Sequence, residues 1–294
     1  MNGGFEVVGI RPLPPGTPVK REKWYRGKPL AAIVILTMIF LGCLFYPLIM
    51  AKDPAYMDLQ NCNTAPCAAF WFGTDAMGRD IFSMIWYGGR LSLFIGLAST
   101  ILSTAIAIIF GAVSGCAPGW LDALLMRMTE IVLSVPGLLL TVLLQSVLGR
   151  ASAVSLAFVI GATSWAGMAK VVRTEVRQLR ASEYILAARS MGGGFFHILW
   201  RHLTPNFVSS LMFMSVMNVQ SAIAAESTMS FMGIGLPPEA VTWGSMLSLS
   251  ENALPTGAWW VVLIPGVFLT ATLLCITSLG NCLRRSVERR ESCL

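Results

Sequence analysis

The chain has 294 residues, 55% of them apolar and only 12% charged, with a formal net charge of +6. A soluble domain carries roughly a quarter charged residues, so this composition excludes an ordinary water-soluble globule. A nucleic-acid reading of the basic balance has no motif behind it.

Uncharged apolar stretches run over residues 30–51, 91–121, 131–149, 151–169, 206–225 and 252–283. Each meets or approaches the roughly 20 residues that a helix needs to cross the hydrocarbon of a bilayer. The prediction is an all-α polytopic membrane protein with six transmembrane helices. Residues 1–29 precede the first span, with Pro12, Pro14, Pro15 and Pro18 followed by a basic run from Lys20 to Lys28. They lack the apolar core of a signal peptide and read as a flexible tail, so the first span (30–51) is expected to stay as an anchor.

Residues 52–90 read as an extracytoplasmic loop. Cys62 and Cys67 stand there as Cys-Asn-Thr-Ala-Pro-Cys. Outside the cytoplasm a disulfide persists, and a bridge and two free thiols are equal readings of this pair. Further on, Gly73 and Gly78 permit turns around Asp75, Arg79 and Asp80, a compact charge set before the second span. These charges, with Arg90, are candidates for an external gate, and tying the loop to the helix end is the favoured role over substrate contact.

In the second to fourth spans, Gly96, Gly111, Gly115, Gly137, Gly161 and Gly167 permit close helix contact, and Pro136 permits a bend. Arg127 and Glu130 are three apart on one helix face and can pair. Asp122 lies close by in sequence, and the three read as one cluster at the membrane edge. Only Arg150 separates the third stretch from the fourth, which predicts a hairpin with almost no loop.

After the fourth span, residues 170–205 form a charged, helix-forming segment containing EYILAARSMGGGFFHILWRHLTPN from Glu183 to Asn206. His197 and His202 are five apart, so a helix would not stack them on one face, and they read as polar residues of the segment and not as metal ligands. The fifth span leads to Glu226 and a run dense in glycine and proline that ends a helix. Acids in spans are costly and usually functional. Twenty residues after Asn206 correspond to about 30 Å of helix, which places Glu226 near the outer mouth. There it could serve a gate by accepting backbone amides of the irregular run or by pairing with a base such as Arg90. All but four of the 21 Lys and Arg (Lys52, Arg79, Arg90 and Arg150) fall on one side of a six-span drawing. By the positive-inside rule that side is the cytoplasm, and both termini, including residues 284–294, face it.

Three segments together resemble the permeases of prokaryotic ABC importers. The positions Glu183-Tyr184, Ala187-Ala188-Arg189, Gly192 and Pro205-Asn206 are similar to the EAA motif of that superfamily, with Leu186 where many members have glutamate and Thr204 where leucine is usual. The run from Phe72 to Ser83 with Tyr87 to Leu93, and the run from Glu226 to Pro238 with Thr242 to Met246, resemble the peptide/nickel class, second permease subunit. The resemblance implies a membrane-spanning permease subunit of an importer of di- or oligopeptides in the cell (inner, cytoplasmic) membrane, with nickel or another metal chelate as the alternative cargo. It implies four kinds of partner: a second homologous permease as heterodimer, two ABC ATPase subunits, an extracytoplasmic substrate-binding protein, and the lipid bilayer. It makes Glu183, Ala187, Ala188, Arg189, Gly192 and Pro205 the ATPase-coupling residues.

No G-x-x-x-x-G-K-[ST] occurs, and the triple glycine Gly192–Gly194 lacks both the lysine and a preceding strand. HExxH, GxSxG and a cysteine-histidine zinc spacing are also missing. The expectation is therefore a non-enzymatic subunit that binds no cofactor or metal, with ATP and magnesium held by its partners. An ion-coupled secondary transporter is the rival of another class. It would need several ionisable groups within the spans and inverted halves, whereas the spans are nearly free of charge and no internal repeat is evident.

Overall fold

The computed structural model describes residues 29–50, 52–180, 204–237, 239–249 and 253–291. Nine α-helices are assigned among them: α1 (Leu30–Leu44), α2 (Tyr46–Ile49), α3 (Ile81–Cys116), α4 (Gly119–Ser134), α5 (Gly137–Leu148), α6 (Ala153–Arg180), α7 (Thr204–Phe231), α8 (Trp243–Ser248) and α9 (Trp260–Glu291). Three of them (α3, α6 and α9) are long and apolar enough to cross a membrane, and the bent pair α4–α5 makes a fourth if counted as one span. The coupling residues Glu183, Ala187, Ala188, Arg189 and Gly192 lie outside the described residues, as does the tail before Pro29. Pro205 falls in the first turn of α7.

The helix ends follow local chemistry. The Asp80 side chain caps α3 by accepting from Ser83 N at 3.0 Å and Ser83 Oγ at 2.6 Å. The helix therefore begins ten residues before the apolar stretch at Leu91, and residues 81–90 are helical instead of loop. The segment between α6 and α7 is likewise narrower than 170–205, because α6 continues to Arg180. Proline decides the middle. Pro118 stands at the N-cap of α4, and Pro136 at that of α5 forces Val135 into an extended conformation (φ −92°, ψ 132°). The stretch 131–149 is thus not one straight span: residues 131–134 finish α4, and α5 leaves at 91°.

Two further ends are built by hydrogen bonds. Ser152 and Ser155 each take the other's amide, at 2.8 and 3.1 Å, which starts α6 with a capping box directly after the tight turn at Gly149. At the end of α7, Ile234 N donates to Met229 O at 3.0 Å and Gly233 N to Ser230 O at 3.1 Å. That is a Schellman ending, and it needs the positive φ of 74° that Gly233 supplies.

Helix α3 is the spine. Along one stripe it carries Ser99, Ser103, Ala107, Gly111 and Gly115, all buried and all small. Such a stripe lets helix backbones approach closely in a membrane. A Cβ on Gly111 would stand 2.6 Å from Ala169 O and 2.6 Å from Val172 Cβ, and one on Gly115 2.8 Å from Val176. In return Gly161 of α6 sits against Ser99 O, where a Cβ would come within 2.8 Å. Gly96 receives Ile223 of α7. Gly137 and Gly167, by contrast, face open space. The buried apolar residues gather in three groups along the bundle: Ile85, Met84 and Trp243 near Asp80, Ile95, Leu156 and Met229 in the middle, and Ala107, Ala169 and Val172 toward Asp122.

Replacing Gly111 with valine should lower stability by about 1–3 kcal/mol, because the carbonyl of Ala169 cannot turn aside. Gly167→Ala should leave stability unchanged or raise it slightly, since it adds helix propensity without a clash. Melting of the purified variants in detergent, followed by fluorescence, checks both.

Candidate functional site

Glu226, on the last turns of α7, is fully buried. Its carboxyl sits in a cage of hydroxyls: Oε1 accepts from Ser230 Oγ at 2.9 Å, and Oε2 from Ser92 Oγ at 3.1 Å and Ser227 Oγ at 3.4 Å. Ser92 also accepts the Trp243 backbone amide at 3.3 Å. The acid on α7 is therefore linked through one hydroxyl of α3 to the start of α8. Trp243 is held in turn, its indole Nε1 donating to Ile85 O at 3.1 Å. Gly244 fits directly under Ser227, where a Cβ would come within 2.6 Å of its Cα. The site ties the irregular connection after α7 back onto the bundle.

Arg90, one of the two alternative partners for this acid, does not take part in the cage. That guanidinium lies 4.5 Å from the Tyr46 ring centre and 4.2 Å from that of Tyr87, and donates to Tyr46 Oη at 3.0 Å. Arg90 and Ser92 are two residues apart on α3 and so point to different faces. Arg90 serves the α1–α2 corner, and the direct link from Glu226 to a backbone amide is replaced by the Ser92 relay.

Of the set Asp75, Arg79 and Asp80, the structure pairs the first two, while the Asp80 carboxylate turns to Ser83 of α3. Asp75 Oδ1 accepts from Met77 N at 2.9 Å and Arg79 N at 2.8 Å, while Oδ2 takes Arg79 Nε and Nη2, both at 2.8 Å. Only 1% of Asp75 and 7% of Arg79 are exposed. Gly73 and Gly78 have φ of 76° and 73°, the left-handed turns this loop requires. Trp260 at the start of α9 donates Nε1 to Thr74 O at 3.1 Å. The loop is thus fastened to the first turns of both α3 and α9. Cys62 and Cys67 are free thiols, both exposed, and Cys62 Sγ donates to Leu59 O at 3.3 Å. The structure holds no bridge between them.

At the opposite end of the bundle, Arg127 and Glu130 pair at 2.9 Å on the surface. Asp122 does not join them. It is buried and receives the Ser114 hydroxyl from α3, Arg173 Nε and Nη2, and Arg177 Nη2 from α6. Asp122 and Arg127 are five apart, so α4 turns them to different faces. Sequence reasoning missed this cluster, although Arg173 and Arg177 at i, i+4 carried its signal.

The family of binding-protein-dependent transport system inner membrane components matches residues 107–292, which hold both Asp122 and Glu226. The chain belongs to that family. A protein of Brucella suis biovar 1 (strain 1330) named as a peptide permease is 36% identical over 259 residues, 88% of this chain and 85% of the relative. The dipeptide transport system permease protein of Bacillus subtilis (strain 168) is 31% identical over 278 residues, 93% of this chain and 87% of its own. The oligopeptide transport system permease protein of the same organism is 34% identical over 266 residues, covering 90% and 87%. Membership makes this chain a multi-pass inner-membrane permease component of an ABC transport system, and implies ATPase and substrate-binding partners.

Asp75→Asn should cost about 3–5 kcal/mol, because it leaves the Arg79 guanidinium buried without its counter-ion. Thermal melting of the purified chain, compared with an exposed control such as Glu130→Gln, measures the loss.

Proposed function

We propose that this chain is one of two different permeases in an ATP-driven peptide importer. The observation that carries the reading is its likeness, over most of both chains, to permease proteins named for dipeptide and oligopeptide transport. In this reading α1–α2, α3, α4–α5, α6, α7 and α9 are the six spans, and both termini face the cytoplasm. The Asp122 end of the bundle is then cytoplasmic and the Asp80 end faces outward, in keeping with the basic residues Arg173, Arg177 and Arg180 at the end of α6.

Residues 181–203 would dock on a partner ATPase through Glu183, Ala187, Ala188, Arg189 and Gly192, with Pro205 in the first turn of α7. ATP and magnesium would be bound by the ATPases and no cofactor by this chain. Closure of the ATPases would move α6 and α7 at their cytoplasmic ends. At the outer end, the Glu226 cage would hold the connection between α7 and α8 in one of two access states, and substrate selection would rest mainly with the binding protein.

Replacing Gly192 with a bulky residue should abolish uptake while the chain still reaches the membrane. ATP-dependent uptake in vesicles and copurification of the ATPases test this, and normal values of both would overturn the docking assignment.

Glu226→Gln replaces one carboxyl oxygen of the hydroxyl cage with an amide nitrogen, which donates instead of accepting, while keeping its shape. Basal ATPase activity of the assembled importer should change, and the set of peptides carried should not. A changed peptide preference at unchanged basal activity would place Glu226 on the translocation path instead.

A further inference from the structure

Helices α6 and α7 flank residues 181–203, but the rest of the bundle holds them by different chemistry. Toward α7 the polar contacts are neutral or shared among hydroxyls. Asn218 Nδ2 donates to Ser103 Oγ at 2.7 Å, Thr104 and Ser215 meet at 3.3 Å, and Ser92 bonds Glu226. At the other end α6 is held by ionic bonds that run to α4 and converge on one carboxylate, which α3 joins through a hydroxyl. Asp122, in the first turn of α4 and 5% exposed, accepts Ser114 of α3 together with Arg173 and Arg177 of α6. Arg173 holds it with two nitrogens, the Nη2 bond being 2.7 Å. Arg180, the last described residue of α6, donates to Gly115 O at 2.9 Å.

Bidentate charge-assisted bonds of this kind are roughly twice as strong as neutral ones and fix orientation as well as distance. Behind the ionic contact there is no room for shear, since Gly111 and Gly115 already lie against the Ala169 carbonyl and Val176. A force applied beyond Arg180 therefore meets a joint at which three helix ends share one anion.

We propose that Asp122 is a positioning residue for transport: it locks the neighbouring ends of α3, α4 and α6 into one lever, so that displacement delivered at the end of α6 turns all three helices instead of bending α6 alone. The proposal rests on the reading of residues 181–203 as the ATPase-docking segment. Without the Asp122 charge, ATP hydrolysis continues but its motion is dissipated at the joint.

The test uses the complete importer (both permeases, ATPases and binding protein) in proteoliposomes, with a panel of radiolabelled short alanine peptides. Asp122→Asn should assemble and hydrolyse ATP at close to the normal rate, yet import about tenfold less peptide per ATP, and Asp122→Glu should recover most of that ratio. A spin-label pair at Leu124→Cys on α4 and Gln178→Cys on α6, both exposed positions, reads the joint directly in a background lacking the native cysteines. In the parent protein the pair should keep one distance in the nucleotide-free and ATP-trapped states. With Asp122→Asn the two states should differ. A distance that changes in the parent, or an unchanged peptide-to-ATP ratio in Asp122→Asn, overturns the lever. Should Asp122→Asn fail to assemble, Arg177→Gln takes its place with the same two readouts. If the parent importer shows no ATP-driven uptake, the transport reading fails, while the spin-label distances still decide the joint.

Discussion

The contact on which the rest of the structure depends is the close approach of α3 to α6 along the small-residue stripe from Ser99 to Gly115. In a bilayer, lipid tails solvate leucine as well as another helix does, so association rests on packing density and polar contacts. With glycine and alanine at the crossing, the Ala169 carbonyl and the Val172 and Val176 side chains lie directly on the α3 backbone. That closeness places Arg173 and Arg177 within reach of Asp122. It also presents the opposite faces of α3 to α7, through Gly96 and Ile223, and to Trp243 of α8.

Asp122 and Glu226 follow one rule and reach two solutions. A buried acid must be hydrogen-bonded or paired, because a bare one costs far more than folding can offset. Glu226, deep on α7, has hydroxyls that can donate to it without any cation. Asp122, near the end of the bundle, has two guanidiniums and a hydroxyl. The first arrangement is made of weak bonds that can be exchanged one at a time, and the second is a single ionic joint. The two acids therefore suit different duties: under the proposed function one would hold an irregular connection that rearranges, and the other would join helices that move together.

The irregular parts are equally specific. Pro118, Pro136 and Gly149 divide the stretch between α3 and α6 into a bent pair, where hydropathy suggested a single span over residues 131–149. Non-helical backbone at membrane depth is tolerated only under cover, and capping boxes at Ser152 and Thr242 and the Schellman ending at Gly233 satisfy much of it locally. The loop before α3 achieves the same with Asp75, which accepts two amides and a guanidinium in one place.

Much of this was legible in the chain itself. Apolar content and span-length runs determined an all-helical membrane protein, because the bilayer admits few other ways to satisfy a backbone. The short spacing of Asp75, Arg79 and Asp80 determined a capped loop, since residues that near in sequence cannot avoid each other. The Arg127–Glu130 pair was readable for the same reason. What only the tertiary structure decided were contacts between residues far apart in sequence: Ser92 with Glu226, Asp122 with Arg173 and Arg177, and Arg90 on Tyr46. Helix rotation sets which of several nearby partners a side chain meets, and that rotation comes from the packing of small residues against neighbouring helices. Hydropathy along a single chain records that a residue is buried, but not which helix face it shares or with whom.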